Sequence, residues 1–342
     1  MGYEIEYFSI GDADAILIKY TSNNKTKIVL IDSGNVGDGE KIEKFLIDKW
    51  NASQIDLTIC THPDNDHIGG LFYLIKDSCI TIKELWVNTP LFVLSNDTHD
   101  WFTDEWQEQC LELFKHPTDE NSPNLIELAL GNDVNVSPAY RYRIHSDVPL
   151  IVLGPTEDEY RGFAEEMIKK DKSYYILEEL RDIVEEIKEL LQEKMAVSSQ
   201  TKSSIDNESD DNSITNKSSM ILCFFPSNEE KFLFLGDATR EAIQNIISSP
   251  IVQCYIRNCT VKIPHHGSKH NLTSKIVQDL SPVCSIISAK GTINHPSKGV
   301  VHCLANCGDV YSTHYNGDIT IKNGMLSGSI TNSPYKKKIK SS

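Results

Sequence analysis

Four apolar runs in this chain share one pattern: each is of β-type, and each is followed by histidine or aspartate just past its end. Ile55 to Cys60 leads into Thr61-His62-Pro63-Asp64-Asn65-Asp66-His67-Ile68-Gly69-Gly70. Phe232 to Gly236 ends on Asp237, Val261 to Pro264 on His265-His266, and Ser285 to Lys290 leads to Asn294-His295-Pro296. Ligands gather at the carboxyl edge of open sheets that mix strands and helices, so the pattern predicts one shared site. It also restricts the fold, because four buried strands must deliver their ends to one place.

The first motif is the densest. Residues two apart at a strand's end can point the same way, so His62 and Asp64 are expected to share one ion. Asp66 and His67 fall where a helix begins, and Gly69-Gly70 permits close backbone packing. Imidazole nitrogen with carboxylate oxygen suits Zn²⁺, Mn²⁺ or Fe²⁺. A solvated polar turn is the alternative. Asp237 at the end of a buried strand is placed to bridge two ions.

The surrounding elements read as a layered α/β arrangement. Met1 to Phe8 has the look of a strand. Ala15–Tyr20 and Lys27–Asp32 form a hairpin across Ser22-Asn23-Asn24, and Lys41–Ile47 an amphipathic helix. Trp101 to Phe114 reads as helical and Pro149–Pro155 as a short buried strand; the rest of 92–148 has few clean periodicities. Ile176, Leu180, Ile183, Ile187 and Leu190 recur at helical spacing, an amphipathic helix suited either to packing on its own domain or to a partner. Ser198 to Ser219 is rich in serine, asparagine and aspartate and is expected to be a flexible linker. The expected organisation is a hydrolase-type domain over 1–155 and 220–330, an insertion over 156–219, and a basic tail over 331–342.

Acidic side chains number 49 against 33 basic, a net charge of −16 that opposes casual binding to nucleic acid or anionic membrane. Neither a signal peptide nor an apolar run long enough to span a bilayer is evident, so a cytoplasmic location is expected. The nine scattered cysteines read as free, mostly buried thiols, with Cys303 and Cys307 as core residues of a helix.

Together these motifs resemble the metallo-β-lactamase superfamily, and within it the soluble metallo-domain of ComEC-type competence proteins. The superfamily's HxHxDH motif appears as His62-Pro63-Asp64-Asn65-Asp66-His67, with aspartate in place of the second histidine, the HxDxDH form of the ComEC-like branch. Ile10-Gly11-Asp12-Ala13-Asp14-Ala15-Ile16-Leu17-Ile18 is similar to that branch's opening motif, with Ala13 in place of glycine. Ile31-Asp32-Ser33-Gly34, Leu235-Gly236-Asp237, Pro264-His265-His266-Gly267-Ser268, Asn294-His295-Pro296 and Val310-Tyr311-Ser312-Thr313 follow in order. The likeness runs from about residue 4 to 324, apart from 92–148 and 156–219.

The resemblance implies an αββα sandwich with a helical and disordered insertion, and a dinuclear centre of Zn or Mn along one edge. His62 and Asp64 would bind the first ion. Asp66, His67 and one of His265 or His266 would bind the second, with Asp237 bridging and Asp32 supporting the loop. His295 would contact substrate or donate a proton; the alternative is a turn histidine beside proline. The superfamily's third-motif histidine has no match here. Asp64 adds negative charge and hard oxygen character, which lowers Lewis acidity and makes Mn²⁺ plausible beside Zn²⁺.

Two adjacent cations activate water and stabilise both oxygens of a displacement, which favours metal-assisted hydrolysis of phosphodiesters, with Asp66 and His295 as catalytic residues. The expected activity is a phosphodiesterase or nuclease, with nucleic acid or another phosphodiester as substrate. Alternatives are hydrolysis of small esters, lactones or thioesters, or a subunit of a larger anti-phage or toxin assembly that meets a protein partner, or itself, through the 160–195 helix.

Overall fold

The computed structural model describes residues 1–94, 104–169, 205–292 and 294–336. Of the expected 160–195 helix, 160–167 belong to the helix Glu157–Met167 and 170–195 lie outside the described residues, as does the basic tail beyond Lys336.

In chain order the strands are β1 (Gly2–Tyr7), β2 (Ala15–Ser22), β3 (Lys25–Ser33), β4 (Gln54–Ile55), β5 (Leu57–Cys60), β6 (Thr81–Ile82), β7 (Glu84–Val87) and β8 (Asn135–Ser137). They continue with β9 (Leu150–Gly154), β10 (Ile221–Phe224), β11 (Phe232–Phe234), β12 (Thr260–Lys262), β13 (Cys284–Ile287), β14 (Asp309–Ser312), β15 (Ile319–Lys322) and β16 (Met325–Gly328). One sheet has the order β16-β15-β1-β2-β3-β5-β7-β8 and the other β14-β13-β12-β11-β10-β9, while β4 and β6 pair apart.

Alternation along the strands builds the layers. Ile16, Ile18, Val29 and Ile31 of the first sheet share a buried cluster with Val152, Leu222, Phe224 and Phe234 of the second. Their neighbours Leu17 and Leu30 point the other way, onto Ile42 and Leu46 of helix α1 (Gly39–Trp50) and Ile68 and Leu71 of helix α2 (Asn65–Lys76). On the second sheet Leu233, Val261 and Ile287 pack outward against Ile243, Ile246, Ile276 and Val300 of three covering helices. The period-two side-chain pattern thus yields helix, sheet, sheet and helix, an αββα sandwich. Each such apolar side chain contributes roughly 1.5–3 kcal/mol by leaving water.

The hairpin β2–β3 turns at Asn23-Asn24, both left-handed, as a two-residue connection with right-handed strand twist requires. In both sheets the strands nearest the site run parallel: β3, β5 and β7 in one, β11 to β14 in the other. Their carboxyl ends therefore meet at one edge of the sandwich.

Two expectations need correcting. The described part of the serine-rich stretch, 205–219, is packed: Ile205, Ile214, Ser218 and Ser219 are buried, and Arg240, itself buried, donates to the carbonyls of Ile205 and Glu208. Polar composition suggested a linker, but its side chains bond to the sheet edge. Cys303 is only half-buried and Cys307, beyond the helix Lys298–Ala305, is exposed; all nine cysteines are free, and four are buried. No described helix is long and apolar enough to cross a membrane.

Candidate metal centre

Strand β5 delivers Thr61 and His62, and the chain then turns straight into α2. Asp64 caps that helix through its carbonyl, which accepts from the amides of His67 at 2.9 Å and Ile68 at 3.1 Å. Gly69 and Gly70 let the first turn lie on the β3 end. A Cβ on Gly70 would stand 2.2 Å from the Ser33 carbonyl oxygen, and one on Gly69 2.5 Å from the Val36 nitrogen. Only glycine fits this approach, which brings His67 to Asp32.

Asp32 is buried and left-handed (φ 54). Its carboxylate accepts from the Thr61 amide, the Thr61 hydroxyl and His67 Nδ1, each at 2.8 Å. With Nδ1 committed, His67 turns Nε2 toward Asp66 Oδ2 at 3.3 Å and Asp237 Oδ1 at 3.5 Å. His266 enters from the second sheet. Its Nδ1 lies 3.0 Å from the Ser288 carbonyl, which leaves Nε2 3.1 Å from Asp66 Oδ2 and 3.9 Å from Asp237 Oδ2.

Asp66, His67, Asp237 and His266 thus present ligand atoms within 4.8 Å of one another. Bonds of about 2.0–2.2 Å in a tetrahedral shell put neighbouring ligand atoms roughly 3.3–3.6 Å apart, close to these separations. The buried Nε2 atoms of His62 and His67 make no hydrogen bond among the described residues, although both point at carboxylates. An orphaned buried imidazole nitrogen beside acids is what a cation ligand looks like. The residues present fit a divalent ion.

His62 and Asp64 form an adjoining pair, Nε2 to Oδ2 3.4 Å, and the His62 ring lies 4.1 Å from that of His67. His265 flanks Asp237 on the other side, with Nε2 3.9 Å from Asp237 Oδ2 and its amide donating to Oδ1 at 3.2 Å. His295 is half-buried, its ring 5.7 Å from His265 and 6.0 Å from His266, so all the candidate histidines share one edge. His265 and His266 are both left-handed (φ 45 and 53), a local strain of about 1–3 kcal/mol each that fixed contacts must offset.

Charge explains the protonation pattern. Burial pushes the Asp66 and Asp237 carboxyls up, but positive charge on the neighbouring histidines, with the His266 hydrogen bond to Asp66, outweighs it and holds both well below the usual range. Burial likewise pushes His67 down, and Asp66, Asp237 and Asp32 more than reverse it. The acids thus draw protons onto the imidazoles, a demand for positive charge that a divalent ion would meet in their place. His295 differs: burial, then charge on His265 and His266, lowers it to about 3.

Beneath the ligands Lys262 and Asp14 form a buried ion pair that sequence reading did not single out. Lys262 Nζ also lies 3.4 Å from the Gly236 carbonyl and 4.0 Å from Asp237 Oδ1. Asp211 was missed as well, because it sits in the presumed linker. Burial raises its carboxyl, but hydrogen bonding and charge from His265 outweigh this and bring it to about 2. A cavity of about 200 Å³ lined by Tyr3, Glu230, Phe232, Thr260 and Cys284 opens at the opposite, amino ends of β11 to β13. It holds none of these ligands.

The family model described as the metallo-beta-lactamase superfamily matches residues 10–81, the span that carries Asp14, Asp32 and the His62–His67 motif. No curated protein matches the chain. Among solved structures, the metallo-beta-lactamase fold protein YhfI from Bacillus subtilis is similar at 8% identity over 94% of this chain and 100% of that one, with a TM-score of 0.43. Unliganded yeast PDE1 is similar at 10% identity over 91% and 96%, TM-score 0.43. A mutant CmlA beta-hydroxylase is similar at 12% over 94% of this chain and 54% of that chain, TM-score 0.44, so this chain spans about half its length.

Proposed function

We propose that the protein is a metal-dependent hydrolase with a dinuclear centre, acting on phosphodiesters and most readily on nucleic acid. The observation that carries this reading is the convergence of ligand atoms from both sheets on Asp237, whose two oxygens face different histidines. His62 and Asp64 would hold one ion and Asp66, His67 and His266 the other, with Asp237 between them. Two divalent ions, Zn or Mn, would supply Lewis acidity to a phosphoryl oxygen and lower the pKa of bound water.

The chain's own residues do the rest. Asp32 holds His67 by Nδ1, so Nε2 keeps its lone pair for coordination. His266 is held in the same sense by the Ser288 carbonyl. His295 lies beside both second-sheet histidines, where its ring would contact a substrate oxygen. The ligand set contributes three carboxylates, Asp64, Asp66 and Asp237, which would favour hard cations such as Mn²⁺ beside Zn²⁺.

The test is hydrolysis of DNA, RNA and a chromogenic phosphodiester by purified protein loaded with Mn²⁺ or Zn²⁺, beside a panel of esters, lactones and thioesters. Losing a group that merely supports a ligand lowers metal affinity or activity about 10–100-fold, so Asp66→Ala should lose at least about 100-fold. Metal-loaded protein that cuts the esters and leaves all three phosphodiesters intact would overturn the substrate assignment.

A further inference from the structure

We propose that Asp211 is a positioning residue that fixes His265 as a metal ligand, so that both adjacent histidines serve the centre; this rests on the metal-centre reading above. Asp211 is nearly buried, its side chain 10% exposed, in a stretch whose composition gives no reason to bury a charge. Its carboxylate accepts from the Ser213 amide at 2.9 Å, Asn216 Nδ2 at 2.8 Å and Asn271 Nδ2 at 2.9 Å, and Oδ2 lies 3.3 Å from His265 Nδ1.

Asn271, fully buried, closes the arrangement. Its Nδ2 also reaches the Asp237 and Ala238 carbonyls at 3.3 Å, which leaves Oδ1 3.2 Å from His265 Nδ1. Two acceptors facing Nδ1 place the ring proton there, and the lone pair falls on Nε2. That atom lies 3.9 Å from Asp237 Oδ2. The arrangement repeats Asp32, His67 Nδ1 and Asp237 on the other side of the same carboxylate. Four residues on, Thr215 donates to Asp64 Oδ2 at 3.2 Å, so one short segment touches a candidate ligand from each sheet.

The experiment is Zn²⁺ and Co²⁺ titration against a competing chelator, with wild type, D211N, H265A and the double variant of the full chain. D211N should weaken one of two ions about 10–100-fold and leave the other within about 2-fold. In the H265A background D211N should add less than about 2-fold, because its effect passes through His265. A carboxylate that only held the loop together would lower affinity by the same factor in both backgrounds, and that result overturns the proposal. So does D211N binding both ions as tightly as wild type, which leaves the hydrolase reading standing; wild type that binds no metal overturns both. Should D211N fail to fold, nitrogen NMR of the wild type decides. His265 protonated at Nδ1, with Nε2 shifting as Zn²⁺ is added, supports the assignment, and an unmoved Nε2 overturns it.

Discussion

The two sides of the candidate metal centre reach one geometry by different means. On the first sheet, Asp32 lies next to the end of a long regular strand, and its three hydrogen bonds come from two residues, Thr61 and His67, at strand and helix termini that pack like any other core. On the second, Asp211 lies in an irregular segment and is held by side-chain amides and one backbone N–H. Both carboxylates face the Nδ1 of a histidine whose Nε2 is turned to Asp237. Holding an imidazole by Nδ1 therefore needs a buried acid and donors for it, not a particular secondary structure.

Lys262 joins the two sides, since it belongs to β12 and pairs with Asp14 of the first sheet's opening loop. Each side chain is about 1–2% exposed, so neither can turn to water. Lys262→Met should destabilise the protein by about 3–5 kcal/mol, because Asp14 is left buried and unpaired. Urea unfolding of the metal-free protein measures this. A loss below about 1 kcal/mol would show that the sides are held together by the apolar cluster between the sheets alone.

Asp32→Asn tests the regular side as D211N tests the irregular one. Metal affinity should fall by about 10–100-fold, toward the upper figure, since a single Asp32 oxygen accepts from both Thr61 and His67. Equal losses for the two variants would mean that strand and loop position their histidines equally well. A loss confined to D32N would make the first sheet the only rigid half.

The same contrast governs what could be read from the sequence. Asp32, His62, Asp64, Asp66, His67, Asp237 and His265-His266 are legible because each ends or follows a β-type run, and the apolar alternation that builds the layers also marks where the strands stop. Asp211 has no such frame. Its neighbours Ser209, Asp210, Asn212 and Ser213 suggest solvent, and its partners His265 and Asn271 lie more than fifty residues ahead. Lys262 was hidden for the opposite reason. A lysine inside an apolar run looks like the exposed member of an alternating strand until Asp14 appears across the sheets. Cys307 failed by simple distance, because the helix it was assigned to ends at Ala305.

A buried acid whose printed hydrogen bond comes from a hydroxyl, with Lys41 acting on it only through space, marks the boundary of the comparison. Glu6 on β1 is 2% exposed and accepts from Thr320 Oγ1 at 2.6 Å. Burial raises it to about 7; the hydrogen bond from Thr320 lowers it and charge from Asp318 and Glu4 raises it. Between about pH 4.3 and 7 the folded chain therefore holds a proton that the unfolded chain has released, and stability falls as pH rises through that window. For Asp66 and Asp211, whose carboxyls are depressed, stability is instead lost as pH falls. Glu6→Gln should leave stability near pH 4 unchanged and raise it by about 1–3 kcal/mol at pH 8, read from urea midpoints at the two pH values. An equal shift at both would assign the effect to packing around Thr320. A gain only at high pH would show that acids survive uncharged in this core away from the centre, and charged only where histidine or lysine meets them.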